Sequence, residues 1–310
     1  GEGDRSPYIG IEASTSGVVT AVFPELNGFF IQDLEPDDNP ATSDGLFVLT
    51  GTLPNLLVGD EVNVQGTVSE VSPGGLGSGY LSTTQIVNPF VFRLSGGNAL
   101  PAATILGPDG RIPPTEVIDN DQPTAYNLLT EELELYEPEL DGIDFYESLE
   151  GMRVTVNSPE VVGATNSFGE IYTYAGGTTP TGLSDRGTRN ISPDDFNPER
   201  IQIDPDSDVR PEPAPLVNVG DTLSSITGIV GYSAGNYEVI PTETFTATAG
   251  TLLEEISTLT STADQLTIAS YNLPNLDPVV ETVANVEGED PGNIDDDLGN
   301  GRFAPTAADI

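Results

Sequence analysis

What most constrains this chain is a recurring pattern: short runs in which apolar residues alternate with polar ones, each run closed by glycine, proline or asparagine. Residues 16–23 (SGVVTAVF), 28–33 (GFFIQD), 46–49 (LFVL), 61–71 (EVNVQGTVSEV) and 80–87 (YLSTTQIV) concentrate β-branched and aromatic side chains in this way. A period of two is the signature of half-buried strands rather than helices. Asn27-Gly28 marks a hairpin turn between the first two runs. Val58-Gly59-Asp60 is a tight turn into the fourth, and Gly66 inside that run predicts a bulge or bend. Five strands in this order suit a small barrel of the OB type.

The pattern then repeats loosely. Residues 149–156 parallel the first run and 169–174 the second. After an excursion rich in proline and aspartate at 175–215, Val219-Gly220-Asp221 matches Val58-Gly59-Asp60 and opens the runs 223–232 and 236–241. The expectation is therefore an all-β chain with two tandem OB-like barrels, residues 1–95 and 125–247, joined by a Gly/Pro/Asn-rich linker at 96–124. Leucines at 128, 129, 133 and 135 predict one short helix over 126–135. The remainder, 248–310, reads as a linker strand and an acidic tail. Within it Leu266, Ile268, Ser270 and Asn272 alternate along an extended strand (LTIASYN).

Composition narrows the chemistry. The chain has no cysteine, histidine or lysine. That excludes thiol nucleophiles, Ser-His-Asp triads, Schiff bases and P-loops, and it removes the usual zinc ligands. No catalytic residue is expected in the chain as given. Carboxylates remain, and they suit hard cations. Asp204, Asp206 and Asp208 alternate like the opening of a calcium loop, although the glycine and distal glutamate of an EF-hand are missing. Asp295, Asp296 and Asp297, beside Asn293 and Asn300, form a second candidate. Asp33, Asp37, Asp38 and Asp44 form a weaker third. Calcium is the cofactor these clusters suggest; nothing points to an organic one.

Fifty Asp plus Glu against nine basic residues give a net charge of −41. Such a surface repels nucleic acid and anionic membranes and suits surroundings rich in divalent cations. No run of about 20 apolar residues offers a membrane span. The chain opens at Gly1 rather than methionine and carries one glycosylation sequon at Asn190-Ile191-Ser192. The start at Gly1 is read as the mark of a processed protein, secreted or held at the cell surface; a single sequon also arises easily by chance. Phe23, Phe29, Phe30 and Phe47 offer either a stacking platform for single strands or core packing for about half of them by the period-2 rule.

Several stretches together resemble a known family. They are SGVVTAV (16–22), GFFIQD (28–33), TSDGLFV (42–48), FYESLEGM (145–152), NSFGE (166–170), DFNPERI (195–201), GNYEV (235–239), LTIASYN (266–272) and NLDP (275–278). The set is similar to the N-terminal region of large secreted bacterial nucleases whose C-terminal domain has the endonuclease/exonuclease/phosphatase fold. The resemblance implies that 266–272 matches the first strand of the nuclease domain and that Asn272 matches an asparagine near its metal site, although Pro274 departs from the family pattern. The metal-binding glutamate and the catalytic histidine of that family have no counterpart in this chain. Three functions follow as expectations. The first is a non-catalytic assembly protein whose copies add strands head to tail, as a filament or surface layer. The second is an accessory region of a metal-dependent nuclease. The third is a calcium- or glycan-binding module.

Overall fold

The computed structural model describes residues 5–37, 39–52, 55–75, 78–119, 136–205, 209 and 213–253. Two compact units are distinguished, Gly1–Leu252 and Leu253–Ile310, and the described residues fall almost wholly in the first.

The first five strands are β1 (Glu12–Phe23), β2 (Gly28–Gln32), β3 (Gly45–Leu49), β4 (Glu61–Val71) and β5 (Thr83–Ser95). They form a closed barrel in the order β1-β2-β3-β5-β4, with β3 and β5 parallel and the other pairs antiparallel. This is the strand order of the OB type. Closure works because β1 is long: its first half pairs with β4 and its second half with β2. The turn into β2 is a four-residue loop, Pro24 to Asn27, with Asn27 left-handed at φ 50°. Alternation on β4 puts Val62, Val64 and Val68 inside. There the first two join Val19, Phe29, Ile31, Val48 and Ile86 in the barrel core.

The bulge expected at Gly66 is present: the β4–β5 register slips between Gln65 and Thr67. A Cβ at Gly66 would lie 2.6 Å from Ile86 Cγ2 and 2.9 Å from the Val87 carbonyl oxygen, so only glycine lets the strands approach here.

The second region comprises β6 (Thr104–Leu106), α1 (Gly142–Glu147), β7 (Arg153–Val156), β8 (Glu160–Val161), β9 (Ile171–Tyr174), β10 (Ile201–Ile203), β11 (Thr222–Leu223), β12 (Ile226–Ser233), β13 (Asn236–Pro241) and β14 (Ala247–Thr248). They form one nine-stranded sheet, β14-β11-β8-β9-β10-β13-β12-β7-β6. Its pairings retrace those of the barrel. β7 and β8 are two pieces of one strand, broken at Asn157-Ser158-Pro159, where Ser158 has φ 36°. β11 and β12 are two pieces of another, broken at Ser224-Ser225. Joining the pieces gives the same circuit, including the parallel pair, here β10 with β13. The second barrel expected from the sequence is thus an interrupted one, with β6 and β14 added at the breaks.

The two Val-Gly-Asp turns confirm the repeat at atomic detail. Gly59 N–H donates to the Val19 carbonyl (2.9 Å), Val19 N–H to the Asp60 carbonyl (2.8 Å), and Leu57 N–H to Asp60 Oδ2 (3.0 Å). The same three bonds recur as Gly220 to Val161 (2.9 Å), Val161 to Asp221 (2.9 Å) and Asn218 to Asp221 Oδ2 (2.8 Å). Both glycines are left-handed, at φ 87° and 83°, a conformation that glycine adopts without steric cost.

One expectation changes. The stretch read as a linker, 96–124, contributes β6, which pairs in parallel with β7. The one helix among the described residues is α1; the helix expected over 126–135 lies outside the described residues.

The barrels pack against each other through a mixed seam. Phe23, Phe30 and Phe47 of the first meet Ile229 and Ile240 of the second. Gly45 lies against the backbone of Gly151 so closely that a Cβ on Gly45 would overlap it. Gln32 Oε1 accepts from Arg153 N–H (2.8 Å), and the Tyr232 hydroxyl accepts from Leu81 N–H (3.0 Å).

Candidate functional site

Two places in the molecule depart from ordinary packing. The first is an edge. β3 pairs with β5 only as far as Leu49 opposite Val87. Beyond Asn88 (φ 49°) and Pro89, residues 90–95 pair with β4 alone. Among the described residues nothing pairs with their outer edge. Alternation puts Phe90, Phe92 and Leu94 on one face of this ribbon, and they are 64%, 54% and 56% exposed. The two phenylalanine rings lie 4.9 Å apart, tilted by 48°. By register Gln65 stands opposite Phe90 and Asn63 opposite Phe92; Ser14 and Ser16 continue those rows on β1. Arg93, the charge that would normally guard such an edge, is drawn onto Asp60 at 2.7 Å. That guanidinium, then the Leu57 amide, hold the Asp60 carboxyl below its ordinary range.

The second place is an acidic cavity of about 340 Å³ where the first barrel meets α1 and the turn after it. Glu150 sits in its wall, 8% exposed. Its Oε1 accepts from Thr84 N–H (2.9 Å), while Oε2 is buried without a hydrogen-bond partner. Burial, then the charges of Glu147 and Glu70, push its carboxyl well above the ordinary range. Glu147 accepts from the Tyr237 hydroxyl (2.6 Å), and burial, then that carboxylate, push Tyr237 up as well.

The residues singled out in the sequence scatter. Asp204 follows β10; its N–H donates to the Val239 carbonyl (3.0 Å), and it lines a seam cavity with Glu150 and Glu238. Asp206, Asp208, Asp295, Asp296 and Asp297 lie outside the described residues, as do Asp38 and the strand residues Leu266, Ile268, Ser270 and Asn272. Asp33 and Asp37 cap their own loop, accepting from the N–H groups of Glu35 (2.9 Å) and Asn39 (2.8 Å). Asn190 is exposed. The stacking platform is corrected: Phe23, Phe29, Phe30 and Phe47 are at most 9% exposed, all four in the core or seam. The exposed aromatic pair, Phe90 and Phe92, was not singled out by sequence, although the alternation in FVFRL was its signal.

Among the described residues no group of three carboxylates is placed to hold a metal ion, and no helix is long and apolar enough to cross a membrane. Residues 105–250 match a family described as a domain of unknown function (DUF8508), a span running from β6 to just beyond β14. No curated protein matches the chain significantly.

Proposed function

We propose that this chain is a non-catalytic extracellular assembly protein whose copies join by β-strand addition. The acceptor is the outer edge of residues 90–95, and the donor is the strand 266–272 of a neighbouring copy. The observation that carries the reading is that unpaired edge, with three large apolar side chains exposed along it. Closed barrels have no edges, so a half-strand left open on one is a template for another strand. The donor's sequence complements it: an alternation of Leu266, Ile268, Ser270 and Asn272 offers two apolar residues to pair with Phe90 and Phe92. Head-to-tail addition gives a filament or layer when the rotation does not close a ring. At −41 per subunit, association requires divalent counter-ions such as calcium, and the exposed sequon at Asn190 supports an extracellular setting.

The test is light scattering and negative-stain microscopy of the full chain in millimolar calcium. Oligomers are expected for the natural sequence, and monomers both for a deletion of 266–272 and for Phe92→Asp. A natural chain that stays monomeric at high concentration with calcium present sinks the proposal.

A second reading rests on the same face. Two phenylalanine rings flanked by Asn63, Gln65 and serine hydroxyls suit a neutral glycan, which stacks its C–H faces on rings and bonds its hydroxyls to amides. Retention on a polysaccharide column that Phe90→Ala abolishes would favour it over assembly. The nuclease-accessory reading rests on the sequence resemblance; a longer gene product with metal-dependent nuclease activity would establish it.

A further inference from the structure

We propose that the acidic cavity between the barrels is a binding site for an aliphatic polyamine, with the Glu150 carboxylate as its buried anchor. Six carboxylates line the cavity, those of Asp33, Glu35, Asp37, Asp44, Glu147 and Glu150, against one guanidinium, that of Arg5. An acidic cluster alone is usually a hydrated surface. Here one member, Glu150, is only 8% exposed; its Oε1 accepts from Thr84 N–H and its Oε2 is buried without a hydrogen-bond partner. Glu70, whose Oε2 is likewise buried and partnerless, adds its charge from β4. Burial and its carboxylate neighbours make Glu150 hold its proton more tightly; an ammonium alongside displaces that proton and leaves the carboxylate charged, so the cavity favours a positive occupant.

The spacing says which kind. No three carboxylates among the described residues converge closely enough to hold a metal ion, whereas calcium needs six to eight oxygens around one point. Carboxylates spread around about 340 Å³ fit a cation whose charges are distributed along a chain, and this is the volume range of small-molecule sites. The hydroxyls of Ser6, Ser43 and Tyr136 supply further acceptors for ammonium protons.

The experiment is thermal melting and calorimetric titration of the full chain with spermidine at constant ionic strength. A saturable rise in melting temperature is expected. Glu150→Gln should weaken spermidine binding roughly tenfold or more, since it removes the anchoring charge, and Glu147→Gln should weaken it less. Asp109→Asn, exposed and outside the cavity, should leave it unchanged. An equal response from all variants would mean non-specific screening of the net charge and would overturn the site. So would a Glu150-dependent response that calcium saturates at lower concentration than spermidine, which would assign the cavity to a metal.

Discussion

Glu150 shows how one side chain sets a pH dependence. Facing it are Glu147 from α1, Glu70 from β4 and the Thr84 amide of β5; burial and the two carboxylates outweigh the amide. The folded state therefore holds this proton more tightly than the unfolded chain, where the group titrates near 4.5. Its contribution to stability is complete below that value and is lost as pH rises through the folded pKa. Asp60 works in the opposite sense. Held below 3.8 first by Arg93 and then by the Leu57 amide, it contributes stability above 3.8 that is lost as pH falls through its folded pKa. Denaturant unfolding across this range should show Glu150→Gln removing part of the decline above pH 4.5, and Asp60→Asn removing part of the decline at the acid end. Only one of the two environments is legible in the sequence. Asp60 is set partly by a three-residue turn, which Val-Gly-Asp announces. Glu150 is buried by a strand more than sixty positions away, which no local pattern reveals.

At the scale of the element, glycine and proline decide where strands bend and where pairing stops. The bounds of β4 and β13 follow from alternation alone, and Gly66 was readable as a bulge because glycine inside a strand has few other uses. Gly66→Ala should cost about 1–3 kcal/mol by overpacking, since its Cβ would press on Ile86 Cγ2 and the Val87 carbonyl. Equilibrium unfolding measures this; a neutral substitution would mean that β5 shifts to accommodate it. The run 80–87 stops short of the end of β5 at Ser95, because Asn88-Pro89 looks like a terminator. In the fold the strand continues through them. A proline lacks the N–H for a ladder and so sits where pairing ends, and pairing with β3 ends just before it. The exposed edge, the feature of most functional interest, was hidden by the residues that create it. The breaks within β7–β8 and β11–β12 leave no such mark, since β8 and β11 are two residues each, too short to show a period.

At the scale of the molecule, the question is whether two barrels of one topology behave as two domains or as one. The seam argues for one. Phe30 and Phe47 meet ring to ring at 4.8 Å, and with Phe23 they share a cluster with Ile229 and Ile240 of the second barrel. Removing Ile229, which is fully buried, should cost about 2–5 kcal/mol as Ile229→Ala. Because its neighbours are phenylalanines of the other barrel, the loss is shared. Hydrogen exchange provides the test, since amides report the unit that opens them. In the natural chain the slowest amides of β2 and of β12 should exchange at one common free energy. In Ile229→Ala both sets should fall together. If only β12 loses protection, the barrels are independent domains in contact, and strand addition at 90–95 would leave the second barrel unaffected. If both fall, a neighbour's strand pairing with the first barrel stabilises the whole described body.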